Sequence, residues 1–347
     1  MGEGPEQNQP EDRHEPEPAA LSDGGAGLAA QLAEQSWQTP LRKVYGGLLL
    51  CAAIGSCALL FLAYAPQEAL EPSSQVAAAE AVDASPFDDI EIAARAAYVY
   101  DAADGKELYA KNASQQLPLA SITKVMLVLA VSEVLPLDGT VSISQAATIK
   151  GGGGLTWGEV WRVRDLIDYT LITSSNTGAE ALAEAADAPL RAKYAAAPSG
   201  GAAVWRMNAL AQEFELESTY FINVSGLDES ATQAGALGSA RDTALLFARA
   251  VERPELFAGT TRTNAALMPL NFPGRIAENT NNALSDIPGL LMGKTGTTDL
   301  AGENLAVVFE AENGHPIVVV VLGSPAPNGR YDDMKKLVEA AKGAVRH

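Results

Sequence analysis

Residues 117–131 read LPLASITKVMLVLAV, an apolar run in which Lys124 stands three residues after Ser121. Burying an ammonium in such company is unfavourable unless it is paired or gives up its proton. Pro118 cannot continue a helix from upstream, so a helix is expected to start near Ala120 or Ser121, with the Ser121 hydroxyl at its positive end. Residues three apart share a helix face, which sets Lys124 beside Ser121. A neutral buried lysine can accept the proton of a serine hydroxyl and activate it without a histidine. Taken alone, a helix-capping serine and a lysine reaching out to solvent explain an S-x-x-K tetrapeptide equally well, so the case depends on what surrounds it.

Upstream of this run, RAAYVYDAADGKELYAKNA reads as β-rich, with Asp104-Gly105 marking a hairpin turn. Downstream, helical patterns follow at 121–134, about 164–187, about 202–214 and 239–252. Strands return at GLLMGKTG, LAVVFEA and HPIVVVVLG, and an amphipathic helix over about 331–345 closes the chain. A sheet made from both ends of a chain with helices inserted between is an α+β arrangement.

The chain has 347 residues and a net charge of -19. The charge is uneven: residues 1–40 carry eight acids against Arg13, residues 66–92 carry seven acids and no base, and Arg42 and Lys43 sit between. The remaining chain, residues 93–347, holds only about -7 and no basic excess. Nucleic acid is therefore not an expected partner, because its binding comes mainly from phosphate neutralisation.

Both cysteines, Cys51 and Cys57, lie in an apolar run, leaving no thiol elsewhere for a disulfide, a zinc site or a nucleophile. His14 lies in a Pro/Glu-rich tail and His347 is the last residue, while His315 sits in ENGHP, a hairpin turn between apolar strands. A Ser-His-Asp triad is not expected from histidines so placed.

Residues 1–43 read as a disordered acidic tail. Residues 44–65, VYGGLLLCAAIGSCALLFLAYA, are 22 residues without a charge, roughly 33 Å as a helix at about 1.5 Å per residue, enough to span a bilayer. Arg42 and Lys43 precede this run and no Lys or Arg follows until Arg95. The positive-inside rule then puts the N-terminus in the cytoplasm and the later residues outside the cell membrane. A signal peptide cleaved after Ala65, or a lipid on Cys57, would be the alternatives to an uncleaved anchor. Residues 66–92 read as an acidic linker, and residues 93–347 as the folded domain.

Two further stretches join Ser121 and Lys124. LITSSNTGAEALAEAA holds Ser174-Ser175-Asn176 between helical segments, where Ser and Asn could also serve as a helix cap. GLLMGKTGTTDLAGENL holds Lys294-Thr295-Gly296 after an apolar strand, where the glycine lets a ligand backbone approach. Peptide cleavage needs a nucleophile, a base, an acid for the leaving amine and stabilisation of an oxyanion, and each has a candidate here. Nothing calls for a metal or a cofactor.

In this order the three motifs resemble those of the penicillin-binding, active-site-serine family, most closely its low-molecular-weight D-alanyl-D-alanine carboxypeptidases. The resemblance runs over about residues 93–345 and includes TYFINVSGLD, SARDTALLFARA, NTNNAL and GRYDDMKKLVEAA. It implies a β-lactamase/transpeptidase-like fold: an antiparallel sheet flanked by helices, with a mostly helical subdomain. It also implies that Ser121 attacks the penultimate D-alanine carbonyl of a peptidoglycan stem peptide, with Lys124 accepting its proton. Ser174 would relay a proton to the leaving D-alanine, and Asn176 would bond the substrate amide and Lys124. Lys294 and Thr295 would bind the substrate carboxylate, Gly296 would admit the ligand, and the N–H groups of Ser121 and Thr297 would form the oxyanion hole. Arg330 matches an arginine that helps hold the terminal carboxylate. β-Lactam antibiotics would act as covalent inhibitors.

The middle motif has Ser175 where glycine is common in the subfamily. The β-rich second domain and C-terminal amphipathic helix of many relatives have no counterpart, so the N-terminal anchor is expected to attach the domain to the membrane. A class A β-lactamase would need an E-x-x-L-N pattern between Asn176 and Lys294, which is missing. A DD-endopeptidase cutting cross-bridges, or an inactive peptidoglycan-binding homologue, are the other readings of the same fold.

Overall fold

The computed structural model describes Gly2 and residues 85–311, 314–325 and 327–345. The expected tail (Gly2 apart), anchor and first part of the linker lie outside the described residues. Among the described residues no helix is long and apolar enough to cross a membrane.

The chain enters through β1 (Ala96–Asp101) and β2 (Lys106–Lys111), joined at the expected Asp104-Gly105 turn, where Gly105 has φ +68°. The short β3 (Leu117–Pro118) leads into a 3₁₀ turn, Ala120–Ile122, and then α1 (Thr123–Ser132). A hairpin of β4 (Thr140–Ser142) and β5 (Val160–Arg162) brackets α2 (Gln145–Gly151). Next come α3 (Val163–Ile172), α4 (Asn176–Lys193), α5 (Ala202–Glu213), β6 (Tyr220–Phe221) and β7 (Ala236–Gly238). Then follow α6 (Ala240–Val251), the single turn α7 (Pro254–Phe257), and the hairpin of β8 (Asn264–Leu267) and β9 (Arg275–Glu278). The chain returns to the main sheet as β10 (Leu290–Thr298), β11 (Gly302–Glu310) and β12 (Pro316–Ser324), and ends in α8 (Gly329–Val345).

The main sheet is antiparallel in the order β10-β11-β12-β1-β2, so both ends of the described domain build it, as expected for α+β. The run of valines in β12 explains its central place, because side chains alternate faces along a strand. Val318, Val320 and Leu322 enter one core with α1 and α6, while Ile317, Val319 and Val321 enter a second with Met334, Leu337 and Val338 of α8. A strand buried on both faces reads as a continuous apolar run.

α1 is buried from Thr123 to Val131, all round its circumference. Such a helix lies inside a domain rather than on it, and it is packed by α3, α4, α5 and α6.

Three differences from the sequence reading have physical causes. The packed domain begins before residue 93, since Phe87 and Ile92 are buried in the α8-side core and Phe87 stacks on Tyr109 at 5.4 Å. The helical stretch expected over about 164–187 is two helices, broken where Ser174 adopts φ +59°, and its second part continues through Pro189 to Lys193. Burial of Ala186 and Leu190 holds that helix together across the proline. The hairpins β4–β5 and β8–β9 and the helix α2 carry too short a pattern to be read from sequence.

Candidate active site

The corner that carries Ser121 begins with a strained residue. Ala120 has φ +49°, a left-handed conformation that costs a residue with a Cβ about 1–2 kcal/mol. Tertiary bonds hold it there. Fully buried Asn304 on β11 donates from Nδ2 to the carbonyls of Pro118 (2.9 Å) and Leu119 (3.1 Å), and its Oδ1 accepts the Gly323 N–H at 2.8 Å. Gly226 packs so closely that a Cβ there would lie 1.9 Å from the Ala120 carbonyl oxygen.

Neither the 3₁₀ turn nor α1 has a side-chain cap, so the Ser121 hydroxyl is not spent on capping. Nor does Lys124 reach solvent; it is 0% exposed. Its Nζ lies 2.7 Å from Ser121 Oγ, 2.8 Å from Asn176 Oδ1 and 2.8 Å from the Ser225 carbonyl. Burial first, then the neighbouring Lys294 charge, drives its pKa well below the ordinary lysine value, against a weaker pull from Glu180. A neutral amine has two N–H groups and one lone pair. Asn176 Oδ1 and the Ser225 carbonyl can only accept, so they take the two N–H groups and the lone pair is left for the Ser121 hydroxyl proton.

The facing wall comes from the break between α3 and α4. Ser175 caps α4, its Oγ accepting the Gly178 N–H at 3.0 Å, which gives the serine at this place a structural task. The cap holds Asn176 at the first helical position, pointing at Lys124. Left-handed Ser174 presents its Oγ to Lys294, whose Nζ donates at 2.9 Å and also reaches the Thr295 carbonyl at 2.9 Å. Lys294 is 1% exposed, and burial together with the Arg330 charge brings its pKa down to about 7.

β10 closes the site along the edge of the main sheet. Gly296 meets the Ser121 turn face to face: a Cβ there would lie 2.8 Å from the Leu119 carbonyl and 3.2 Å from Ser121 N. Thr295 Oγ1 is 2.6 Å from Thr280 Oγ1. Thr297 Oγ1 accepts from Arg330 Nη1 at 2.7 Å, and Arg330 Nη2 donates to Tyr331 Oη at 3.1 Å. Arg330 Nε faces the Glu303 carboxylate at 3.9 Å.

All nine residues expected at the site thus adjoin one another in three linked groups: Ser121, Lys124 and Asn176; Ser174, Lys294 and Thr295; and Gly296, Thr297 and Arg330. Ser174 bonds Lys294 rather than Lys124. The sequence reading missed the Ser225 carbonyl, Thr280, Asn304 and Asp228, whose carboxylate accepts from Thr298 Oγ1 at 3.0 Å and Leu300 N at 3.2 Å. The string NVSGLD offered a turn signal for the first and last of these; lone Thr280 and Asn304 offered none. His315 pairs with Asp101 at 3.1 Å beside the β1–β2 turn, apart from the site. With Asp104 these form the one group of possible metal ligands among the described residues.

A serine beside a buried amine of lowered pKa thus faces a hydroxyl held by a second lysine on an α+β scaffold, with no histidine among them. The family model described as D-alanyl-D-alanine carboxypeptidase, peptidase S11, matches residues 79–326, and the chain belongs to that family of serine peptidases. It is 29% identical over 256 residues to the D-alanyl-D-alanine carboxypeptidase DacF of Bacillus subtilis, covering 72% of this chain and 62% of that protein. It is 30% identical over 308 residues to DacC of Escherichia coli, another D-alanyl-D-alanine carboxypeptidase, covering 85% and 69%. A D-alanyl-D-alanine endopeptidase of Pseudomonas aeruginosa is 29% identical over 255 residues, covering 71% and 76%. Among solved structures, penicillin-binding protein D2 of Listeria monocytogenes in its ampicillin-bound form superimposes with a TM-score of 0.61 at 28% identity, covering 73% of this chain and 98% of that one. The fold is the α+β penicillin-binding/transpeptidase fold.

Proposed function

We propose that this protein is a serine-type D-alanyl-D-alanine carboxypeptidase that removes the terminal D-alanine from peptidoglycan stem pentapeptides. The observation that carries this reading is the buried Lys124 amine, with acceptors on two sides and the Ser121 hydroxyl on the third.

Ser121 Oγ attacks the carbonyl carbon of the penultimate D-alanine while its proton passes to Lys124 Nζ. The oxyanion sits between the Ser121 and Thr297 N–H groups, each such donor being worth about 10²–10³ in rate. The C–N bond then breaks, and the departing amine takes the Ser174 hydroxyl proton, which the Lys294 ammonium replaces, while Lys124 keeps the proton it took from Ser121. The terminal carboxylate is met by Lys294, Thr295 and Arg330. Water then attacks the Ser121 ester, its proton passing through Ser174 to the Lys294 amine, and as the ester C–O bond breaks Lys124 returns its proton to Ser121 Oγ, releasing the shortened peptide. A β-lactam, which presents an amide carbonyl and a carboxylate in like arrangement, acylates the same serine.

The protein is further proposed to be anchored by residues 44–65 in the cell membrane, N-terminus in the cytoplasm and catalytic domain outside. Arg42 and Lys43 before the apolar run, and its length, support this reading. A mature N-terminus at Pro66, found by sequencing protein from the membrane fraction, would overturn it.

Incubation with a pentapeptide ending in D-Ala-D-Ala and an assay of free D-alanine tests the activity. Release that disappears in Ser121→Ala is expected. No release from folded protein would refute the carboxypeptidase reading, and cleavage of cross-linked muropeptides alone would favour endopeptidase action, the activity named for the Pseudomonas relative.

A further inference from the structure

The Ser225 carbonyl aims the base, yet it belongs to a loop, and a loop carbonyl is only as well placed as the bonds that hold it. One side chain supplies most of these bonds. Asn223 Oδ1 accepts the N–H groups of Ser225 (3.2 Å) and Gly226 (2.7 Å). Its Nδ2 donates to the Leu227 carbonyl (2.8 Å) and to Glu229 Oε1 (2.7 Å). The side chain is therefore bonded at both ends, and its flip state is set by its partners, two donors on one side and two acceptors on the other.

The surroundings keep this hub in place. The Asn223 N–H donates to the Gly235 carbonyl at 3.0 Å. Gly235 has no side chain where one would collide: a Cβ there would lie 2.4 Å from Asn223 Nδ2. From the hub, two contacts run to the nucleophile corner. The Ser225 carbonyl accepts from Lys124 Nζ, and Gly226 abuts the carbonyl of left-handed Ala120, one residue before Ser121.

We propose that Asn223 is a positioning residue for acylation: it shapes the 223–227 loop so that the Ser225 carbonyl takes one N–H of Lys124 and turns the amine lone pair toward Ser121. The inference rests on the reading of Ser121 as the acylated nucleophile. Without the Asn223 acceptor, the N–H groups of Ser225 and Gly226 lose their partner and the carbonyl between them is free to turn. Lys124 then keeps its burial and its bond to Asn176 but loses one of the two acceptors that orient it. Because Asn223 touches neither the substrate carboxylate sites nor the nucleophile, its loss acts on the chemical step and leaves initial binding intact.

The test measures acylation of the full-length protein in detergent by a fluorescent penicillin, separating the pre-covalent dissociation constant from the acylation rate constant. In Asn223→Ala the rate constant is expected to fall by fivefold or more, with the dissociation constant within twofold of wild type. Partial rescue comes from a charge-neutral swap, Asn223→Asp with Glu229→Gln, which keeps an acceptor toward Ser225 and Gly226 and a donor–acceptor pair with residue 229, while the Leu227 carbonyl, 2.8 Å from Nδ2, loses its donor. The swap is expected to raise the rate at least threefold above that of the alanine variant. Asn223→Ser replaces the alanine variant, under the same thresholds, if the latter does not fold. A smaller loss, a dissociation constant that moves with the rate, or a swap no better than alanine would overturn the proposal. Wild-type protein that is not labelled at Ser121 would instead refute the reading of the site itself.

Discussion

On the proposed reading Lys124 concentrates the chemistry, because burial and hydrogen bonding act on it together. Burial lowers its pKa well below the ordinary lysine value, and the Asn176 and Ser225 oxygens orient its N–H groups. Lys294 has the opposite task, presenting positive charge, and its pKa of about 7 leaves it close to losing that charge. The rate of acylation should therefore follow a bell. It falls on the acid side as Lys124 takes up a proton and on the alkaline side, from about pH 7 upward in the free protein, as Lys294 gives one up. Lys294→Gln should abolish the alkaline limb and lower the plateau, which a pH profile of penicillin acylation would reveal. Lys124→Gln should lose about 10²–10⁴ in acylation, the usual worth of a positioned base. At Gly296 the argument is steric. A methyl group would press on the Leu119 carbonyl and Ser121 N, so Gly296→Ala should cost about 1–3 kcal/mol in urea unfolding and at least tenfold in acylation.

Elements matter here for what they hold still. α4 starts at Ser175 because its hydroxyl caps the helix, and that start delivers Asn176 to Lys124. β10 lies at the sheet edge and lacks a side chain at Gly296, so the Ser121 turn can dock against it. α8 is tied to the entering chain by Asp333, which is 2% exposed. Its carboxylate accepts the Ala93 N–H at 2.9 Å, the Ala94 N–H at 2.8 Å and the Ser324 hydroxyl at 3.1 Å. Asp333→Ala would leave the Ala94 N–H and the Ser324 hydroxyl buried without a partner, at about 1–3 kcal/mol for an unsatisfied group. The expected result is a loss of stability in urea with the acylation rate of the folded protein unchanged, since none of these atoms touches the site.

The whole molecule carries a stability that depends on pH through its buried amines. In the folded state Lys294 has its pKa lowered from 10.5 to about 7. Between those values the unfolded chain binds the extra proton, so this residue makes the fold more stable as pH rises from about 7 to 10.5, by up to about 1.4 kcal/mol per unit. Below about 7 the residue adds no further slope. Thermal unfolding of wild type and Lys294→Gln should therefore converge in slope below pH 7 and diverge above it. Parallel curves throughout would mean that the amine is already hydrated in the folded protein.

The order of the motifs, the strands at both ends, the hairpin at Asp104-Gly105 and the runs of valine were legible because each depends on neighbours in the chain or on a period of two. So was the pairing of Ser121 with Lys124, which three residues of helix suffice to impose. The charge state of that lysine was not: it depends on complete burial among α3, α4, α5 and α6 and on Lys294, 170 positions away. Local pattern by itself also left a capping serine and a serine beside an amine alike, and only the order of the three motifs told Ser121 from Ser175; the packing gives Ser175 to a helix N–H and Ser121 to an amine. Thr280, Asn304 and the Ser225 carbonyl escaped notice because packing alone brings them to the site. Local patterns along the chain determined which elements form and in what order; desolvation and contacts between distant segments decided which polar groups could react.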